Sequence, residues 1–179
     1  GCPPRCGPAA AAAARRRSCP RSWCPTSRPC AACANGNSTT DSGKTISGTL
    51  PEIIDRLYDT VDVDDEQRDF LKNSVGTVEI PKDQSAYYFG VENLDFEEAV
   101  ASEPFINAIA FSVCLMRVKD GTDIDELKAE IRRSANSAKW ICVDVNPNDV
   151  RVESVGDLVL LIMADDSEKY SEAFYALAE

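Results

Sequence analysis

The sequence predicts an α+β domain, an antiparallel or mixed sheet in a two-layer arrangement with helices mainly on one face, behind a leading stretch that cannot fold. Three observations carry this expectation. From residue 49 onward, amphipathic helical periods are interspersed with short β-rich runs. Two of those runs are separated only by Gly156-Asp157, a connection open to antiparallel strands. Composition also changes abruptly near residue 41. Before it the only charges are Arg5, Arg15, Arg16, Arg17, Arg21 and Arg28, whereas all 30 acidic residues follow, beside the other 13 of the 19 basic ones.

Residues 1–33 form a low-complexity Arg/Ala/Pro/Cys tail. It holds Cys2, Cys6, Cys19, Cys24, Cys30 and Cys33 but no Ile, Leu, Val, Phe or Met, so it cannot bury a core. Six alanines precede three arginines, the reverse of a secretory signal, which needs its basic region before its apolar one. Runs of Ala, Arg, Cys and Pro are what a GC-rich gene yields out of frame, so the tail is expected to be a misread or degenerate lipoprotein signal. Ala31-Ala32-Cys33 fits the end of a lipobox, which makes Cys33 the candidate lipid-attachment residue. Cys30 and Cys33 also have a metal or redox spacing, without the βαβ context a redox pair needs. Residues 34–48 read as a Gly/Ser/Thr/Asn tether spanning roughly 20 Å. Gly43-Lys44-Thr45 imitates the end of a phosphate loop, but Ser38 stands where that motif needs glycine.

The domain is expected over residues 49–179. Thr49-Leu-Pro-Glu52 is a capping box, and Ile53, Ile54, Leu57, Tyr58 and Val61 follow at helical spacing. Acids open a second helix from Asp65 to about Asn73, where they complement the helix dipole. The same acidic run is a poor calcium loop, because Gln67 and Asn73 replace its glycine and glutamate. Residues 76–81 and 86–91 read as two strands about a turn, with Tyr87 and Tyr88 facing opposite sides. Phe96–Ala101 reads as a short helix stopped by Pro104. Residues 106–119 alternate with two buryable faces, as in a central strand. A helix carrying Ile124, Leu127, Ile131 and Ala135 follows, then strands at 140–145, 150–155 and 158–163, and a last helix with Tyr170, Phe174 and Leu177 inward.

The stretches Ser102-Glu-Pro-Phe-Ile-Asn-Ala-Ile-Ala-Phe-Ser-Val113, Arg117-Val-Lys-Asp-Gly121, Lys139-Trp-Ile-Cys142 and Gly156-Asp-Leu-Val-Leu-Leu-Ile-Met163 together resemble a bacterial family of lipoproteins of unknown function, common in Gram-positive anaerobes. The resemblance spans roughly residues 50–179. It implies an extracytoplasmic, membrane-anchored protein with the lipid on Cys33, and it implies no activity.

Chemistry is narrowed mainly by what is missing. The chain has no histidine, which removes Ser-His and Cys-His pairs and every zinc site needing imidazole. A net charge of −11 argues against nucleic acid, whose phosphates are neutralised by Lys and Arg. No apolar run reaches the roughly 20 residues of a membrane span, so membrane contact is expected only through the lipid anchor. No cofactor, metal ligand or catalytic residue is assigned. Trp140 is read first as a core anchor, with an aromatic binding surface as the alternative, and Cys142 as a small buried group. Outside the cytoplasm, Cys114 and Cys142 have the option of pairing. The expected function is a non-catalytic, envelope-tethered binding module whose partner is a cell-envelope protein or wall component. The alternative is a small carboxylate-dependent hydrolase whose acids converge from distant segments.

Overall fold

The computed structural model describes residues 44–178; the tail with Cys33 and most of the tether lie outside the described residues. The elements run α1 (Leu50–Thr60), α2 (Asp65–Asn73), β1 (Val75–Glu79), α3 (Ser85–Phe89), β2 (Phe96–Pro104), β3 (Ser112–Val118), α4 (Ile124–Ser134), β4 (Val150–Val155), β5 (Leu158–Met163) and α5 (Ser167–Ala176). The five strands form an antiparallel sheet in the order β1-β2-β3-β5-β4. This is the α+β class the sequence predicts.

Alternation along the two central strands divides the core. Val113 and Leu115 of β3, with Leu158, Leu160 and Ile162 of β5, face α1, α2 and α5. Their neighbours Cys114, Met116, Val159, Leu161 and Met163 face α3, α4 and the irregular segment around Trp140 and Val145. The helices therefore lie mainly on one face, as expected. The other face has a thinner cover, supplied by α3, α4 and the segment around Trp140 and Val145. The reason is visible in β5, all six of whose residues are buried: such a strand needs apolar partners above and below.

Local chemistry explains most of the elements. The Thr49–Glu52 capping box starts α1, with the Thr49 N–H donating to Glu52 Oε2 at 2.9 Å. Asp64 and Asp123 cap α2 and α4 by accepting from the N–H groups of Gln67 and Glu126. Gly156, at φ +57°, turns β4 into β5. Ile46 is already buried in the core and Ser47 O accepts from Arg56, so packing begins within the last residues of the expected tether.

Three elements differ from expectation. Residues 85–89 are helical rather than extended: Gly90 closes the turn in the left-handed region at φ +76°, its N–H donating to Ala86 O. Phe96–Pro104 is a strand rather than a helix. A register irregularity between Phe96 and Glu98 leaves Glu97 and Glu98 exposed side by side, which breaks the period-two signature. Residues 140–145 form no strand, and the central strand begins only at Ser112.

Candidate functional site

One end of the sheet gathers the chemistry. There β2 ends, β3 begins, and the segment after α4 folds back across them. In the β2–β3 ladder Ser102 lies opposite Val113, so the following Glu103 and the preceding Ser112 come together at the rim. Lys139, with 2% of its side chain exposed, reaches into this corner. Its ammonium is ion-paired with Glu103 and donates to Ser112 Oγ at 3.1 Å, while Ser112 donates to Glu103 Oε1 at 2.8 Å. Three aromatic rings complete the enclosure: Tyr87, Tyr88 and Trp140, their centroids 5.1, 5.4 and 5.3 Å from the ammonium. Cys114 Sγ lies 3.4 Å from Ser112 Oγ, and burial pushes its thiol up to about 11.

This is a saturated cluster rather than a reactive one. A Ser–Lys nucleophile requires a lysine free to take the hydroxyl proton, whereas Lys139 is neutralised by Glu103 and Ser112 already donates to that same carboxylate. Ser112 and Cys114 are fully buried, so no substrate reaches them. The cluster instead fixes the chain above it. Trp140 is buried as the core anchor expected of it. Tyr87 and Tyr88 pack edge to face on α3, 4.9 Å apart, instead of straddling a strand. Cys142 is exposed at φ +61° rather than buried, and both Cys114 and Cys142 are free thiols.

Above the cluster sits an apolar tip. Phe105, Ile106, Ile109 and Ile141 are 75, 64, 38 and 62% exposed. The Ile141 N–H donates to Asn107 O, joining the two segments, and the Phe105 N–H donates to Ser74 O. Phe111 anchors the base of the loop among Tyr58, Phe70 and Tyr170.

Beside Ile109 a depression of about 270 Å³ brings Asp64, Asp165 and Asp166 together from two helix entrances. Three acids from distant segments thus line one depression. Two of the three are already engaged, Asp64 with Gln67 N at 2.8 Å and Asp166 with Lys169 at 2.8 Å. Among the described residues no group of three or more His, Cys, Asp or Glu is placed to hold a metal ion, and no helix is long and apolar enough to cross a membrane.

Comparison with protein-family models, with curated proteins and with solved structures finds no match to this chain. Reasoning from the sequence did not single out Glu103, Ser112 or Lys139 as a group. The available signal was a lysine wedged between Ala138 and the core anchor Trp140, but its carboxylate lies 36 residues away and only the fold brings them together.

Proposed function

We propose that the chain is a non-catalytic binding module, held at the outer face of a cell membrane by lipid on Cys33, and that it engages an envelope protein through the tip formed by Phe105, Ile106, Ile109 and Ile141. The observation that carries this reading is the tip itself. Large apolar side chains exposed together on a tied-down loop are what a protein partner covers, and for that reason a protein is preferred here to a wall glycan. The saturated state of the Lys139 cluster supports a rigid platform over a reaction centre. Resemblance to the lipoprotein family supports the location. The acidic domain supports an outward orientation, since an anionic membrane repels it within about a Debye length, roughly 8 Å at physiological salt.

Two substitutions sets test the reading. In the full chain, Phe105→Ser, Ile106→Ser and Ile141→Ser together are expected to leave the melting temperature within a few degrees of the parent and to abolish co-purification of the envelope partner; undiminished recovery refutes the tip. Cys33→Ser is expected to move the protein out of the membrane fraction, and retention there refutes the anchor. The acid-lined depression favours the hydrolase as second reading. Turnover on a hydrolase substrate panel that vanishes in Asp165→Asn, with the fold intact, decides for it.

A further inference from the structure

A second feature lies at one edge of the sheet. Strand β1 pairs with β2 on one side, and its other side is a free edge. Hydrogen bonds at both ends of the pairing fix its phase: the Phe105 N–H donates to Ser74 O at 3.1 Å and the Ile80 N–H to Ala99 O at 2.8 Å. The even-numbered residues therefore bond to β2, and the N–H and C=O groups of Val75, Thr77 and Glu79 point away from the sheet. Natural sheets commonly blunt such an edge with lysine or proline. Val75-Gly-Thr-Val-Glu79 carries neither, its single charge stands at the last residue, and Thr77, Val78 and Glu79 are all exposed.

The even-numbered side chains share one face of this edge. Ile80 is buried there in the core on the α3 and α4 side, whereas Val78 is 50% exposed. Gly76 lies under the ring of Phe105, whose Cε1 would stand 2.7 Å from a Cβ on that glycine. Phe105 is itself largely exposed. The edge thus presents a ring over a glycine and, two residues on, a bare valine.

We propose that this edge pairs with the same edge of a second copy of the chain, as antiparallel strands about a twofold axis at Thr77. Val75 then lies opposite Glu79 of the second copy, Gly76 opposite Val78, and Thr77 opposite Thr77. Every outward N–H meets a carbonyl, and the valine of each copy comes against the Phe105 ring that lies over the other copy's Gly76. The occupant follows from this self-complementarity. The bare valine and the ring-covered glycine stand symmetrically about Thr77, so a second copy of the strand covers both at once. Charge agrees, because the two Glu79 side chains fall at opposite ends of the pairing, roughly 14 Å apart along the strands. That exceeds the roughly 8 Å over which charges act at physiological salt. An isologous contact of this kind closes at the dimer. The inference does not rest on the tip's role, since Thr77 and Val78 lie outside the tip.

The test is sedimentation equilibrium of the full chain from about 10 μM to about 1 mM, at physiological salt and with reductant present so that no disulfide joins two copies. A monomer–dimer equilibrium with its dissociation constant inside that range is expected, because pairing two five-residue strands makes a contact smaller than a standard interface. Val78→Lys is expected to weaken the dimer about tenfold or more while the melting temperature holds. Thr77→Lys and Thr77→Glu test the register. Each alone sets like charges opposite each other and is expected to weaken self-association several-fold, whereas an equimolar mixture of the two is expected to restore it. A chain that stays monomeric to about 1 mM overturns the proposal, as do growth beyond the dimer, a dimer indifferent to Val78→Lys, and charge variants that fail to rescue each other. A dimer that is lost instead in Ile106→Ser with Ile141→Ser places the contact at the tip and overturns it too.

Discussion

Replacing Glu103 by alanine strands the Lys139 ammonium in a corner with only Ser112 Oγ and three ring faces for company. Removing one partner of a buried ion pair costs about 3 kcal/mol or more, whereas removing both is far milder. Glu103→Ala is therefore expected to destabilise by about 3 kcal/mol, and adding Lys139→Met to recover a large part of that loss. Chemical denaturation of the two single variants and the double variant measures the coupling; strictly additive losses contradict the cluster. Cys114 supplies a pH signature from the same corner. Its thiol is raised from an ordinary value near 9 to about 11, chiefly by burial, with the Lys139 charge pulling part of the way back. Between those values the unfolded chain has released the proton and the folded chain still holds it. The contribution is thus complete below about pH 9 and is lost as pH rises toward 11. Buried tyrosines act with the same sign, so the discriminating quantity is the difference between parent and Cys114→Ala, whose stability is expected to fall less steeply over that interval.

Elements whose cause is local were legible in the sequence, and those set by distant packing were not. The capping box of α1, the acidic entrance of α2 and the Gly156-Asp157 turn each act within a few residues. By contrast, α3 and β2 exchange the types expected of them. Tyr87, Tyr88 and Phe89 have strand-forming side chains, but Gly90 turns the chain against the end of α4, where a Cβ on Gly90 would lie 2.0 Å from Ser134 O. Phe96–Pro104 lost its alternation to the irregularity at Glu98. Gly90→Ala is accordingly expected to cost about 3 kcal/mol, from backbone strain together with a clash against main chain. Gly121, at φ +85° with nothing near a would-be Cβ, separates the two terms. Gly121→Ala is expected to cost only about 1 kcal/mol, and equal losses at the two sites contradict the packing role of Gly90.

At the scale of the whole molecule, the composition boundary and the absence of histidine were plain in the sequence, but the surfaces were not. Ile106, Ile109 and Ile141 read as members of strands, because apolar residues beside a central strand ordinarily continue it. The loop before Ser112 and the irregular path around Cys142 turn them outward instead. Because residues 1–40 lack core-forming side chains, deleting them is expected to leave the melting temperature nearly unchanged; a fall of many degrees contradicts this. Loss of Cys33 in the same deletion is expected to release the protein from the membrane fraction.

The claim that the apolar tip is the working surface is tested most directly by site-specific photo-crosslinking in intact cells. A photoreactive side chain at Ile106 is compared with one at Asp120, an exposed position beyond the far end of β3. The account predicts a discrete covalent adduct with one envelope protein from position 106, none from position 120, and loss of the adduct when Phe105 and Ile141 are also changed to serine. Equal labelling from both positions, or an adduct indifferent to those serines, contradicts it.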